Sequence, residues 1–590
     1  MLISKSLFVD YKDFQKLAWW KVNNLQTYKS INWLDDEESE NAIIELWKSV
    51  EDKVWEYLKI KFWYEKLDLF DDNPLSDEDD EDEILNIKYK DKLKQNIERT
   101  KKAIQNKTPL IYQWWFMYKN CFVRVDFMKL NQNWNYDLIE VKAKSWIRKP
   151  KKIDWETIKN IWKVEDNFID DISFQKYVIN KSIEENNLWV EIDKTYFAYL
   201  NHEYKLSWRL DIEKLIVLDE VNTIKTIILN WVKKQKEEII DDTLLSFWVI
   251  EENIKQMEKE LNLWENEFNW IHPFTWNKFE KYFWNEKEFG TIYKIPIHHS
   301  QWNIISSFHY KWKIKLEELS NEEIESFTTK SWEWKAKIFI NNYLQSKKTW
   351  KDIVYQEKIN NELSKLKYPL CFYDYETISV PIPIIENTFP YQQVVVQYSL
   401  HKLYEDWSIK HYWWIYMWDS KEEIKIINID DNKNKVEYES EKIIYWNHKT
   451  FLKEFIKDIW DDINSSFIVW NKWFENSRNK EISKTYDDLT NPYLTINENT
   501  YDLMDIFKKW YYFSLWFKWS NSIKYVLPYF VNNLSYEWMW VPNWWVAMKL
   551  LNDLIIWKYS WDEKEKHIKD LLLYCGQDSL AMLEIYKRIF

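Results

Sequence analysis

The chain has 590 residues, 46% hydrophobic and 30% charged, with a formal net charge of −14. At roughly 100–200 residues per domain this means two to four domains, and the composition excludes both a disordered chain and a membrane-embedded one. The acidic balance speaks against broad electrostatic binding of nucleic acid, and three far-separated cysteines (Cys121, Cys371, Cys575) exclude a disulfide scaffold and fit a reducing cytoplasm.

Met1–Asp10 has no long apolar stretch ahead of a small-residue cleavage site, so no signal peptide is expected. Residues 1–65 read as mostly helical, with periodic apolar positions over 42–64. The acidic run Asp71–Glu83 reads as a solvated loop. Leu110–Leu130 and Tyr136–Ala143 alternate apolar and polar residues as strands do, and 170–180 reads as a following helix. Residues 211–365 alternate helical and shorter strand-like stretches, with Glu357–Leu366 as a helical connection. The pattern changes at Tyr368. Pro369–Tyr375, Gln393–Leu403, Ser408–Trp414 and Ser466–Trp470 read as strands; helices are expected near 450–459, 475–483, 522–530 and 562–590. Strands followed by helices make an α/β layered domain. The expected domains are therefore 1–210, 211–365 and 366–590, with no internal repeat.

Two glycines stand against 42 tryptophans. Average glycine usage of about 7% would give roughly 41 glycines in a chain of this length. The tryptophan excess equals the glycine deficit. Trp114-Trp115, Trp544-Trp545 and Trp446-Asn447 read as turn positions that need glycine's positive φ. Some bacterial lineages read the UGA codon as glycine, and a translation that reads it as tryptophan produces such a chain. Most of the tryptophans are expected to stand for glycine, so no base-stacking surface is read from them.

The first cluster with chemistry in it is Asp126, Glu140 and Lys142. Val123-Arg-Val-Asp126 ends one strand, and Tyr136-Asp-Leu-Ile-Glu140-Val-Lys142 is the next. Period-two geometry puts Glu140 and Lys142 on one sheet face, and Asp126 joins them if the strands pair. Two carboxylates can hold a divalent metal that binds phosphate oxygens, and a lysine can orient the attacking water. Gln175 supports the site from the following helix. This order resembles the RecB-like branch of the PD-(D/E)XK nuclease superfamily, in which an Asp, a Glu-x-Lys and a downstream Gln-bearing helix recur. The six basic residues within Val141–Ile153 (Lys142, Lys144, Arg148, Lys149, Lys151, Lys152) could track a phosphate backbone or form a solvated loop. Many RecB-like relatives carry four cysteines for an iron–sulfur cluster. Here the stretch Ile3-Ser-Lys-Ser-Leu-Phe8 is similar, but Phe14 stands where the first cysteine would be and Ile271–Phe274 has none, so no cluster is expected.

The second cluster is Asp374, Glu376, Glu475, Tyr574 and Asp578. Cys371-Phe-Tyr-Asp374-Tyr-Glu376 is an apolar strand ending in Asp-x-Glu; Asn471-Lys-Trp-Phe474-Glu475 begins a helix; Tyr574 and Asp578 share a helix face at i, i+4. These resemble the Asp-x-Glu, Asn-x-x-Phe-Asp and Tyr-x-x-x-Asp motifs of DnaQ-like DEDD exonucleases, with Glu475 where Asp is usual and with Asp502 and Asp505 as alternative ligands. The resemblance implies four carboxylates holding two metals about 4 Å apart, with the tyrosine positioning water. Residues 368–590 also resemble a family of uncharacterised bacterial proteins that fuse a RecB-like region to a DnaQ-like domain. That likeness is carried by Phe372–Thr377, Pro390–Gln393, Gln397–His401, Phe474-Glu475, Asp502–Asp505, Ser522–Lys524, Val526–Pro528 and Tyr574–Met582.

The resemblances imply an α/β chain with an N-terminal PD-(D/E)XK (restriction-endonuclease-like) module and a C-terminal RNase H-like, DnaQ-type exonuclease domain. The expected catalytic residues are Asp126, Glu140, Lys142, Gln175, Asp374, Glu376, Glu475, Tyr574 and Asp578. The expected Mg²⁺ or Mn²⁺ ligands are Asp126, Glu140, Asp374, Glu376, Glu475 and Asp578. The implied function is that of a cytoplasmic metal-dependent nuclease acting on nucleic acid, DNA before RNA, with no membrane partner. A catalytically degenerate nucleic-acid-binding scaffold is the alternative, favoured by Glu475 and the missing cysteines. A sugar or nucleotide hydrolase with paired carboxylates is disfavoured by the motif order.

Overall fold

In the computed structural model, the alternating stretches at 110–142 fold as three consecutive antiparallel strands, β1 (Leu110–Tyr118), β2 (Cys121–Leu130) and β3 (Tyr136–Lys142). The structure describes all residues except 32–36, 63–89, 153–159, 222–223, 232–233, 272–289, 293–294, 297–303, 306, 309–310, 312, 326–332, 417–446, 518–519, 533, 535–538, 542 and 557. The expected acidic loop Asp71–Glu83 and Trp446 lie outside the described residues. The chain divides into two units, Met1–Thr275 with Pro381–Tyr391, and Trp276–Val380 with Gln392–Phe590. Residues 211–365 are thus shared between them. Both units are mixed α/β.

In the first unit the Asp166–Glu185 helix leads from β4 (Arg148–Lys152) and β5 (Asn160–Val164) into β6 (Ile192–Leu200), which lies parallel to β3. With β7 (Ile216–Glu220) the sheet order is β1-β2-β3-β6-β7, and β8 (Ile224–Trp231) and β9 (Lys234–Asp241) complete a second sheet, β4-β5-β9-β8. Val50, Val54, Tyr57 and Leu58 of the Glu37–Phe62 helix pack on Phe127, Ile139 and Val141. Strand alternation then turns Glu140 and Lys142 to the opposite face, toward the Asp166–Glu185 helix.

The basic stretch is a correction. Residues 148–152 are a strand rather than a loop, and acids from elsewhere neutralise its described cations. Arg148 is buried and ion-paired with Asp219 and, at 2.5 Å, Asp242. Lys144 and Lys149 both pair with Glu165, at 3.0 and 2.8 Å. The described cations of this stretch are thus each paired with an acid from another element.

In the second unit a two-stranded ribbon joins β10 (Ile353–Val354) to Tyr512–Phe513. The main sheet runs β13-β12-β11-β14-β15, with β11 (Leu370–Ile378) at its centre, β12 (Val394–Leu403) and β13 (Ile409–Ile415) antiparallel on one side, and β14 (Phe467–Val469) and β15 (Thr500–Asp502) parallel on the other. Odd positions of β11 face the His448–Ile459 helix: Tyr373 and Tyr375 lie 5.5 and 5.4 Å from the Phe455 ring. Even positions face the Trp561–Ile589 helix, where Phe372 meets Tyr586 at 5.6 Å. Asp374 and Glu376 are even positions, so their carboxylates meet that helix. The β11–β12 register shifts between Glu376 and Thr377. Such irregularities commonly re-aim side chains beside functional sites.

The tryptophans divide. Trp114 and Trp115 are paired inside β1, and Trp544 and Trp545 open the Trp544–Ile555 helix; none of them has positive φ, which corrects the turn reading for those pairs. The left-handed residue near the first pair is Gln113, one position earlier. Elsewhere the expectation meets the backbone. Of ten non-glycine residues with positive φ among the described residues, four are Trp134, Trp350, Trp407 and Trp510. Tryptophan is 42 of 590 residues, so this share is several times what chance places there. Trp350 is also 82% exposed, a setting that gives a large ring no packing.

A left-handed L-residue costs about 1–2 kcal/mol relative to glycine, part of which glycine's greater unfolded-state entropy cancels. Replacing Trp134, Trp350, Trp407 and Trp510 together by glycine is therefore expected to raise the urea midpoint of unfolding. An unchanged or lower midpoint would contradict the assignment of these positions to glycine.

Candidate functional sites

In the first unit, Phe127 pairs with Ile139 across β2 and β3, and the next pair outward would be Asp126 with Glu140. The ladder stops there. Asp126 Oδ2 instead accepts the Val141 N–H at 2.7 Å, so the side chain takes the place of a backbone acceptor. Glu140 Oε1 accepts from Lys142 Nζ at 2.9 Å and from Lys5 Nζ at 3.3 Å, while Oε2 accepts from Gln175 Nε2 at 2.7 Å. Asp126, Glu140, Lys142 and Gln175 therefore meet as expected. Two members were missed. Asp171 accepts from Lys142 Nζ at 2.6 Å and from Gln175 Nε2 at 2.9 Å. It lies four residues before Gln175, on the same helix face, and that spacing was the available signal. Lys5 comes from the N-terminal helix, within the Ile3–Phe8 stretch.

The charges of this cluster are tightly linked. Burial and the neighbouring Asp126 push Glu140 up to about 7. Burial raises Asp126 also, with Lys5 opposing and Glu51 adding to the rise. Burial works against the charged forms of Lys142 and Asp171, but their mutual attraction prevails and holds Lys142 above, and Asp171 below, the usual range.

In the second unit Asp374 and Glu376 project from the centre of β11, and one oxygen of each lies within 4.8 Å of the other and of Cys575 Sγ. The Cys575 thiol is pushed well up by burial and by Asp374, so it stays protonated and donates to the Asp374 carbonyl at 3.8 Å. Burial and Asp578 hold both Asp374 and Glu376 well above the carboxylate range. Glu475, in the first turn of the Lys472–Thr485 helix, is 3% exposed and is pushed to about 8 by burial, Asp502 and Asp578. Its Oε2 is buried with no hydrogen-bond partner among the described residues. Tyr574, on the helix turn before Asp578, is kept protonated by burial and by Asp578, Glu376 and Asp374.

The alternative ligands separate. Asp502 closes β15, pairs with Lys508 at 3.2 Å and stands behind Glu475. Asp505 is turned outward to Lys509 at 3.0 Å, because it starts the short Asp505–Lys508 helix, and so does not complete the cluster. Sequence reasoning gave Lys524 no role. It comes from the Ile523–Phe530 helix, its ammonium lies 5.8 Å from the Tyr574 ring, and burial lowers its pKa although Asp578 and Glu376 oppose the fall.

Among the described residues no helix is long and apolar enough to cross a membrane. Residues 371–520, which contain Asp374, Glu376 and Glu475, match a family model described as a domain of unknown function, DUF2779. The chain is 27% identical over 249 residues to an uncharacterised protein of Ureaplasma parvum, a match covering 39% of this chain and 32% of that protein. It is 24% identical over 286 residues to an uncharacterised protein of Mycoplasma genitalium, covering 45% and 38%. The homologue from Mycoplasma pneumoniae is 24% identical over 288 residues, with the same shares. The matched stretch spans about a third of the length of these curated relatives. No solved structure matches the chain.

Proposed function

We propose that the chain is a metal-dependent nuclease that hydrolyses phosphodiester bonds of nucleic acid, DNA first, with an RNase H-like exonuclease site in the second unit and a PD-(D/E)XK site in the first. The observation that carries the reading is the approach of Asp374 and Glu376 on β11, one oxygen of each within 4.8 Å of the other and of Cys575 Sγ, with Asp578 and Glu475 coming from two separate helices near enough to raise their carboxyls.

The residues fit divalent metal. Carboxylates held this close repel one another unless protonated or bridged by cations, and the buried Glu475 Oε2 is an acceptor without a donor. Asp374, Glu376, Glu475 and Asp578 would hold Mg²⁺ or Mn²⁺, which when bound would activate water and stabilise the leaving oxygen. The protein's own part is to position. Tyr574 keeps its phenolic proton and can donate it to the attacking water or a phosphate oxygen. Lys524 brings a cation toward the same carboxylates, where substrate charge would arrive. In the first unit Asp126 and Glu140 would hold the metal, Asp171 fixes Lys142, and Gln175 orients Glu140.

The test uses labelled single- and double-stranded DNA and RNA with Mg²⁺, Mn²⁺ or EDTA. In a background with Glu140 and Lys142 replaced by Gln, Asp374→Asn is expected to lower the remaining exonuclease rate roughly 100-fold or more, since a metal ligand supplies several kcal/mol to the transition state. An undiminished rate would overturn the site assignment; binding without any cleavage in the parent would favour the scaffold.

The raised carboxyls also predict a pH dependence. Glu475 at about 8 and Glu140 at about 7 lie above the ordinary 4.5, so the folded protein binds protons that the unfolded chain releases. This stabilisation is complete below the ordinary value and is lost as pH rises through about 7–8. The metal-free protein should therefore melt lower at pH 8.5 than at pH 5.5, and Mn²⁺ should restore more stability at the higher pH. Glu475→Gln should flatten the metal-free fall. A melting temperature independent of pH and metal would contradict the clustering.

We also propose that the tryptophans at left-handed positions are read as glycine in the cells that make this protein. Peptide mass spectrometry of the native protein should find glycine at position 407, and tryptophan there would overturn the recoding.

A further inference from the structure

We infer that Cys575 is a metal ligand and sets the choice of ion: with Asp374 and Glu376 it forms a mixed sulfur–oxygen site for a thiophilic divalent cation of the Zn²⁺ class, in preference to Mg²⁺. The inference rests on the metal reading of the second unit's site and adds the identity of the ion. Asp374 and Glu376 stand two apart on β11 and so share a face, which the Trp561–Ile589 helix covers. Cys575 comes from that helix and is fully buried, and Glu376 is buried with it. One oxygen of each acid and Cys575 Sγ lie within 4.8 Å of one another, and Sγ is 4.0 Å from Asp374 Oδ2. Among the described residues no other three His, Cys, Asp or Glu side chains bring their ligand atoms this close. Around a tetrahedral Zn²⁺, bonds of about 2.3 Å to sulfur and about 2.1 Å to oxygen set those two atoms about 3.6 Å apart, so a small side-chain rotation closes the set.

The other two cysteines show what a structural thiol looks like in this chain. Cys121 and Cys371 are also buried, yet neither belongs to such a group, and Cys371 donates to the Pro369 carbonyl at 3.8 Å. Cys575 faces acid instead. A fourth donor is at hand. Glu475 Oε2 is buried with no hydrogen-bond partner among the described residues, and after burial and Asp578 the charge of Glu475 adds to the rise of both Asp374 and Glu376. A buried acceptor so placed points to a cation as its partner. The donor set then decides between ions. Mg²⁺ takes an octahedron of oxygens and keeps several of its waters, which a buried sulfur cannot replace. Zn²⁺ accepts sulfur and carboxylate oxygen together in four-coordination. Without an ion, burial and the surrounding acids keep a proton on Cys575, with the Ser399 backbone N–H opposing them. As the sulfur–metal bond forms, the S–H bond breaks and its proton leaves to solvent, with no change of oxidation state.

The test uses the full chain with Glu140 and Lys142 replaced by Gln, which silences the first unit's site, and freed of metal by chelation. Co²⁺ serves as the spectroscopic stand-in for Zn²⁺. It is expected to give a sulfur-to-cobalt charge-transfer band in the near ultraviolet, bleached by stoichiometric Zn²⁺ and unmoved by excess Mg²⁺. Cys575→Ser and Cys575→Ala should both lose the band and bind Zn²⁺ roughly 100-fold more weakly, with Mn²⁺ affinity changed less than about threefold. Cys121 and Cys371 remain in every variant as internal controls. Asp374→Asn, which keeps the thiol, should need roughly tenfold more Co²⁺ or above to develop the band. A parent without the band that still binds Mn²⁺ through Asp374 overturns the role of Cys575 and leaves the metal reading standing. A band that survives in Cys575→Ser, or in Asp374→Asn at undiminished affinity, puts the sulfur ligand elsewhere and overturns it too. Equal losses of Zn²⁺ and Mn²⁺ affinity in Cys575→Ser overturn the selectivity. Absence of any Co²⁺ or Mn²⁺ binding dependent on Asp374 overturns the metal reading of the second unit itself, and is distinguishable because Mn²⁺ binding through Asp374 does not require the sulfur.

Discussion

Like charges held together in a low-dielectric interior set the terms for the second unit. β11 answers with its two faces. Tyr373 and Tyr375 lock one face onto Phe455, which Tyr398 of β12 also meets at 4.9 Å. Each fully buried large side chain contributes about 1.5–3 kcal/mol of transfer free energy. That apolar face offsets what the other face costs, where Asp374 and Glu376 lie under a helix carrying Asp578. The period of a strand is what lets one segment do both, and Phe372 against Tyr586 seals the acidic face at its inner end.

The two carboxylate clusters solve the same electrostatic problem differently. In the first unit the chain supplies its own cations: Lys5 and Lys142 share Glu140, and Asp171 anchors one of them. In the second unit Lys524 lies near Glu376 and Asp578, and burial together with mutual repulsion raises the carboxyls of Asp374 and Glu376 instead. A site balanced by lysines is organised before any ion reaches it. A site whose carboxyls are raised by burial and by one another lacks that built-in balance.

Much of this was legible because the decisive residues sit on short-period patterns. Asp-x-Glu on an apolar strand, Glu-x-Lys on another, and Tyr and Asp four apart on a helix each fix a shared face without knowledge of the fold. Strand positions at 110–142 followed from alternation, and the central strand near 370 from a short apolar run with partner strands after it. What escaped was set by tertiary placement. Lys5 is far in sequence from Glu140, and nothing local marks it. Lys524 stood within a stretch that carries the family likeness, but nothing local tied it to the carboxylates. The Val141–Ile153 cations read as a basic surface because their partners, Glu165, Asp219 and Asp242, come from other elements. Asp505 appeared as good a ligand as Glu475 until the short helix it begins turned it toward Lys509. The three-residue strand β15 was too short to show a period.

Pro381–Tyr391, the segment between β11 and β12, belongs to the first unit. Ile382 and Tyr391 pack into that unit's core with Phe127 and Ile139, the Tyr391 hydroxyl donates to the Ala143 carbonyl, and the Leu206 N–H donates to Thr388 at 3.0 Å. The ribosome therefore delivers the last piece of the first core only after making the central strand of the second. Neither unit can be completed as a simple prefix of the chain, and their assembly during synthesis is interleaved rather than sequential.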